Sequence, residues 1–139
     1  MDALARITEQ SIVPILAHPE RYAACSLEMA KRWIEAGALL QIDATTLLGD
    51  SKRCERARDL LMAGYGTIIA SDNHGDARSM AAAVEWLESH GAREQARLLA
   101  YVNPAAILAD GPVMNVPPVR LRRSWYSSLK AFVVGGQEQ

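Results

Sequence analysis

The residues of this chain best suited to chemistry lie just beyond three short apolar runs. His18 follows Ile12 to Ala17, Asp43 follows Ala38 to Ile42, and Asp72 and His74 follow Thr67 to Ala70. Imidazole nitrogens with carboxylate oxygens suit manganese, zinc or iron, and manganese gains as the share of oxygen rises. Asp72 and His74 are two residues apart, so an extended backbone through them would project both to one face. Two arginines stand close by in sequence, Arg21 after His18 and Arg78 after His74. A guanidinium grips phosphate oxygens bidentately and keeps its charge. A metal that activates water, beside cations that stabilise a transferring phosphoryl group, is what phosphoryl transfer requires. Plainer readings stand beside this one. Asp72 can cap a helix, His18-Pro19 can form a simple turn, and either arginine can sit in a surface salt bridge. Their concentration beyond three successive apolar runs favours the chemical reading.

Other chemistries find less support. His90 falls at the end of a helical pattern, where a cation suits the helix dipole, and is read as structural. Thiolate phosphatase chemistry needs an arginine closing a phosphate loop around the cysteine. Lys31 and Leu60 stand at the corresponding places after Cys25 and Cys54. Gly-rich phosphate loops and a serine nucleophile elbow are lacking too.

The elements that must position these residues follow from pattern. The three apolar runs are nearly continuous, as expected of strands covered on both faces. Ser26 is placed to cap a helix reaching about Ala36, with Gly37 as its left-handed terminator. Asp50 or Ser51 caps the next helix, whose Cys54, Ala57, Leu60 and Leu61 share a face, and Gly64 ends it. Met80, Val84 and Leu87 recur at helical spacing up to Gly91. Arg93 to Val102 is expected as a helix closed by Asn103-Pro104, because a residue before proline avoids helical angles. A short turn follows through Ile107 and Leu108. Strands alternating with helices imply parallel pairing with helical crossovers, an α/β fold. The C-terminal strand ends then share one rim, which gathers His18, Asp43, Asp72 and His74.

Composition sets the outer limits. The chain has 139 residues, half of them hydrophobic and 22% charged, which suffices for one buried core. A net charge of -1 gives the whole chain no pull toward nucleic acid or an anionic membrane. No apolar run reaches the roughly 18 to 20 residues of a membrane helix, and the first residues lack the apolar stretch of a signal peptide. Cys25 and Cys54 offer no disulfide framework. A cytoplasmic protein is expected. Arg120, Arg122, Arg123 and Lys130 make the C-terminal segment basic, and Pro112, Pro117 and Pro118 break regular structure there.

Pro14-Ile15-Leu16-Ala17-His18-Pro19-Glu20-Arg21-Tyr22 resembles a signature segment of the PHP (polymerase and histidinol phosphatase) superfamily. The branch it is most similar to is the metal-dependent tyrosine phosphatases of bacterial capsular and exopolysaccharide biosynthesis. Leu40 to Gly49 resembles that branch's Gln-x-Asn-x-x-Ser-Leu-x-Gly segment, with Asp43 in place of the asparagine and Thr46 of the serine. Ser71-Asp72-Asn73-His74 with Arg78 resembles its metal-binding element, and Asn103-Pro104 its closing turn. The resemblance implies the C-terminal portion of a distorted (β/α) PHP-type barrel with parallel strands. Residues 1–113 would be a partial phosphoesterase domain and residues 114–139 a basic, proline-containing tail.

By the same resemblance His18, Asp72 and His74 are metal ligands, Arg21 and Arg78 hold the substrate phosphate, and the cofactor is Mn2+. The reaction implied is hydrolysis of protein phosphotyrosine, the partner being a polysaccharide-regulating tyrosine kinase. The family's earlier His-x-His pair and glutamate ligands have no counterpart in the 17 residues before His18, so truncation at the N-terminus is expected. That expectation carries alternatives: an inactive remnant that binds a metal or a partner, a homo-oligomer formed through an open sheet edge, or a phosphatase of sugar or histidinol phosphate.

Overall fold

A computed structural model of the chain describes residues 2–121. Its centre is a three-stranded sheet in the order β1-β2-β3, with β1 Ile15–Ala17, β2 Leu39–Asp43 and β3 Ile68–Ala70, both pairings parallel. Ile15, Leu16 and Ala17 stand beside Leu39, Leu40 and Gln41. Gln41, Ile42 and Asp43 stand beside Ile68, Ile69 and Ala70. This register brings the last residues of the three strands to one edge, as alternation of strands and helices predicts.

Helix α1 spans Asp2–Thr8, α2 Leu27–Glu35, α3 Lys52–Met62, α4 Met80–Ser89, α5 Arg93–Arg97 and α6 Asn103–Leu108. The expected caps are present. The Ser26 side chain accepts from the Met29 N–H, and that of Ser51 from the Cys54 N–H. Gly37 and Gly64 follow α2 and α3 at φ 89° and 73°, the left-handed turn glycine adopts without steric cost. The shared face of α3, namely Cys54, Ala57, Leu60 and Leu61, is buried. Of these, Ala57, Leu60 and Leu61 join Leu40 and Ile42 of β2, Leu87 of α4, and Ala96, Leu98 and Leu99 in one core. Burial of each such leucine or isoleucine contributes roughly 1.5–3 kcal/mol.

Helix α1 was not among the expected elements. Two expectations need correction. Strand β1 covers only Ile15–Ala17, and it is not enclosed on both faces: Ile12, Val13 and Ile15 are 54%, 61% and 41% exposed. β1 is an outer strand, so an apolar run here marks an uncovered edge rather than a covered centre. The helix from Arg93 does not stop before Pro104. A wide turn over Leu98–Val102, in which the Asn103 N–H donates to Leu98 O, carries the chain past the proline and into α6. Widening the turn accommodates a ring that would clash in a regular helix. Asn103 itself is buried. Its side chain donates to Thr67 O and Met114 O and accepts from the Met114 N–H, at 2.9, 2.9 and 2.8 Å.

The residues after 113, expected as a basic, proline-containing tail, are described only as far as Leu121. From Met114 to Val119 they lie on the body: Val116 and Val119 join the core, and the Val119 N–H donates to Leu61 O at 3.0 Å. Arg122, Arg123 and Lys130 lie outside the described residues. Among the described residues no helix is long and apolar enough to cross a membrane.

Candidate functional site

Each strand end turns sharply where the chemistry begins. His18 and Asp72 take left-handed conformations, φ 38° and 48°. Such angles cost a non-glycine residue on the order of 1–2 kcal/mol. His18 keeps its ladder bond, N–H to Gln41 O at 2.8 Å, and then directs the chain into a single 3-10 turn, Pro19–Arg21. The plain reading of His-Pro as a turn is therefore correct as far as it goes. The turn buries Glu20 completely and lays Arg21 across the rim.

Glu20 Oε1 accepts from the Asp43 N–H at 3.1 Å and from the Thr46 hydroxyl at 3.2 Å, while Arg56 Nε donates to Glu20 O at 2.9 Å. Burial pushes the Glu20 carboxyl above its ordinary value, against the lowering effect of these hydrogen bonds. Asp43, 1% exposed, accepts from the Thr45 N–H and hydroxyl at 2.8 and 2.7 Å through Oδ1, and pairs with Arg21 through Oδ2. Burial alone would raise Asp43, but the hydrogen bonds from Thr45 and Arg21 prevail and hold it below the usual carboxylate range. It is ionised at neutral pH. Arg21 is correspondingly raised, chiefly by its bond to Asp43.

The third strand end completes a row of alternating charge. Asp72 Oδ2 meets Arg21 at 2.9 Å and Arg78 Nη1 at 3.4 Å, and its Oδ1 meets His74 Nε2 at 3.3 Å. Arg78 also pairs with Asp76 at 2.5 Å. Desolvation would lift Asp72, but Arg21 and then His74 bring it down. Arg78 holds the Asp76 carboxyl at about 2. Asp43, Arg21, Asp72, Arg78 and Asp76 thus follow one another across the rim.

Among the described residues, the buried side-chain polar atoms without a hydrogen-bond partner are His18 Nδ1, Glu20 Oε2 and Arg21 Nε. All three fall within one four-residue segment at the rim. A fold normally satisfies such groups, so their concentration marks a place kept for something other than stability.

The expected residues are brought together in part. Arg21, Asp72, His74 and Arg78 converge. Asp72 is not a helix cap, since α4 begins only at Met80. Nor do Asp72 and His74 meet along an extended strand. β3 ends at Ala70, and the left-handed Asp72 folds the loop so that the two side chains touch. His18 stands at the end of β1, with β2 between it and β3, and its ring is edge-on to Tyr22 at 6.3 Å. Among the described residues no three His, Cys, Asp or Glu side chains are gathered closely enough to hold an ion. The donors themselves, imidazole nitrogen and carboxylate oxygen, have the chemistry of a divalent site, and the unpartnered His18 Nδ1 is consistent with it. Asp72 and His74 therefore have the donor chemistry for a divalent metal, but among the described residues they do not complete a site.

Glu20 was not among the expected site residues, and Asp43 was expected only as a possible ligand. The signal for Glu20 lay in its place between His18 and Arg21, but burial of a glutamate is not readable from one sequence. His90 behaves as expected: it ends α4, its ring stacks on Trp86 at 4.3 Å, and Nδ1 lies 2.7 Å from Trp86 O. Cys25 and Cys54 are free and buried, and burial pushes the Cys25 thiol up, away from nucleophilic use.

Comparison with known proteins agrees with this geometry. The structure resembles a solved chain described with YwqE from Bacillus subtilis and CpsB from Streptococcus pneumoniae, "unique metal-dependent tyrosine phosphatases", at a TM-score of 0.73 and 23% sequence identity. The match covers 88% of this chain and 52% of that one, so the present chain spans about half the length of its structural relative. No curated protein matches the sequence. Residues 1–109 match the family described as "Capsular polysaccharide synthesis, CpsB/CapC", which is most of the chain and all of the rim, and the chain belongs to that family.

Proposed function

We propose that this chain carries the phosphate-binding side and part of the metal-binding side of a manganese-dependent protein-tyrosine phosphatase. The supporting observation is the rim itself: Arg21 and Arg78 on either side of Asp72, with His74 against it and the unsatisfied His18-to-Arg21 segment alongside. In this reading His18, Asp72 and His74 hold the ion. Arg21 and Arg78 bind and orient the phosphoryl oxygens and offset their growing charge. A divalent ion supplies a water of lowered pKa at such a site. The substrate is a phosphotyrosine protein, a tyrosine kinase that regulates capsular or exopolysaccharide synthesis in the cytoplasm. The described residues are then the C-terminal portion of a PHP-type distorted barrel. The apolar outer edge at β1 is where its remaining strands, or a second copy, would pair.

The test is hydrolysis of p-nitrophenyl phosphate and of a phosphotyrosine peptide with added manganese. Activity above a His18→Ala control, reduced roughly a hundredfold by Arg21→Ala, is expected. Activity equal to that control at every manganese concentration would remove the reading for this chain. The incomplete donor set favours one second reading, a remnant that binds at most a metal or a partner. Elemental analysis beside the same assay separates the two: a remnant can retain metal that His18→Ala/His74→Ala abolishes yet hydrolyses neither substrate above the His18→Ala control, whereas the phosphatase does both.

A further inference from the structure

Arg21 reaches two carboxylates, and they are built differently. Asp72 is divided among Arg21, Arg78 and His74, and its side chain is 23% exposed. Asp43 is 1% exposed and, among the described residues, has one charged partner, Arg21. Its orientation does not depend on that partner. Oδ1 is fixed by the Thr45 N–H and hydroxyl, its backbone N–H is tied to Glu20 Oε1, and its carbonyl accepts from the Thr46 hydroxyl at 2.7 Å. This leaves Oδ2 directed at the Arg21 guanidinium before any ligand arrives.

We propose that Asp43 is a positioning residue. Held by Thr45 and by buried Glu20, it sets the Arg21 guanidinium on the rim in the orientation that receives a phosphate. The phosphate part of this statement rests on the function proposed above. The physical need is plain, because an arginine side chain has many rotamers and a site that must first order it loses affinity. A carboxylate that is itself fixed removes that cost, as outer-shell carboxylates do for metal-bound histidines. Asp72 cannot serve in this way, because its carboxylate is shared.

The experiment uses the full chain, nitrogen-15 labelled, with inorganic phosphate as the probe. In the unaltered chain the Arg21 Nε–H should give a slowly exchanging resonance, since that atom is buried. Asp43→Asn keeps the shape and an oxygen for Thr45, and Asp43→Ala removes both. Each is expected to unfold cooperatively, to lose the protected Arg21 resonance, and to bind phosphate roughly tenfold more weakly. The Asp43→Ala/Arg21→Ala double variant should bind no more weakly than Arg21→Ala alone, since Asp43 acts through Arg21. A protected Arg21 resonance in a folded Asp43→Asn or Asp43→Ala variant, or losses that add in the double variant, would overturn the positioning role. Undiminished phosphate affinity in Arg21→Ala would bring down the phosphate reading of Arg21 itself, and this proposal with it.

Discussion

The two sides of the rim use the same side-chain types and are held in opposite ways. On the side of β1 and β2, Glu20 and Asp43 are buried and tied to the backbone of neighbouring strands and turns. On the side of β3, His74 and Asp76 are 72% and 46% exposed, and their contacts run within the loop itself. There Asn73 Nδ2 donates to Asp76 O and Arg78 O at 2.9 and 2.8 Å, and its Oδ1 accepts from the Gly75 N–H at 2.7 Å. The difference teaches where the rim's rigidity comes from. The first side inherits it from the core, and the second has only what a short loop provides. For the phosphate site proposed above, that division would combine a firm hold on one side with access for a ligand on the other.

The strongest test of the contrast is truncation on each side. Glu20→Ala leaves the buried Asp43 N–H without its acceptor, while the Thr46 hydroxyl keeps the Asp43 carbonyl, and opens a small cavity; it should cost about 2–3 kcal/mol in urea unfolding. Asp76→Ala removes an exposed, solvent-screened pair with Arg78 and should lower the urea midpoint only slightly, clearly less than Glu20→Ala does. Equal effects of the two would dissolve the distinction.

Glycines sharpen it at a smaller scale. Gly64 and Gly75 both have positive φ, 73° and 86°. A methyl group at Gly64 would meet Pro118 Cδ at 3.2 Å and Val116 O at 3.3 Å, whereas at Gly75 nothing among the described residues lies within 4 Å. Gly75→Ala should cost about 1 kcal/mol, from backbone strain alone, and Gly64→Ala about 2 kcal/mol. A Gly75 variant as costly as the Gly64 variant would show that the loop is packed after all.

The smallest expected effects separate the two sides by sign. Glu20 has a raised folded pKa, so the folded state binds its proton more tightly than the unfolded state does. Its contribution to stability therefore declines as pH rises from the unfolded value, about 4.3, through the folded one. Asp76 is held at about 2, so its contribution is present above the unfolded value and is lost as pH falls through about 2. In pH-dependent unfolding, Glu20→Gln should flatten the decline above about pH 4.3, while Asp76→Asn should flatten the acid limb below about pH 4. The same change of slope from both variants would mean that one of the two environments is misassigned.

Much of this was legible in the residues. The three parallel strands, the caps at Ser26 and Ser51, the terminating Gly37 and Gly64, and the buried face of α3 all rest on local signals. Periodicity and capping act within a few residues, and a single sequence displays them directly. The rim could be expected from strand order, and Arg21, Asp72, His74 and Arg78 do converge there. β1 was misjudged because an apolar run does not say whether its outer face is covered. Asn103-Pro104 was misjudged because a wide helical turn relieves a clash that local rules treat as final.

What the sequence by itself determined is therefore the class of fold, the edge at which its polar residues meet, and the family signature they carry. Only the tertiary structure decided that Glu20 is buried under the rim, that Asp43 faces Arg21, and that Asp72 is shared by two arginines and a histidine. The contacts of Arg21 with Asp43 and Asp72 join residues 22 and 51 positions apart, whereas those of Asp72 with His74 and Arg78 form within one loop. Their geometry depends on strand register and on the left-handed turns at His18 and Asp72, and neither is encoded in any local run of residues.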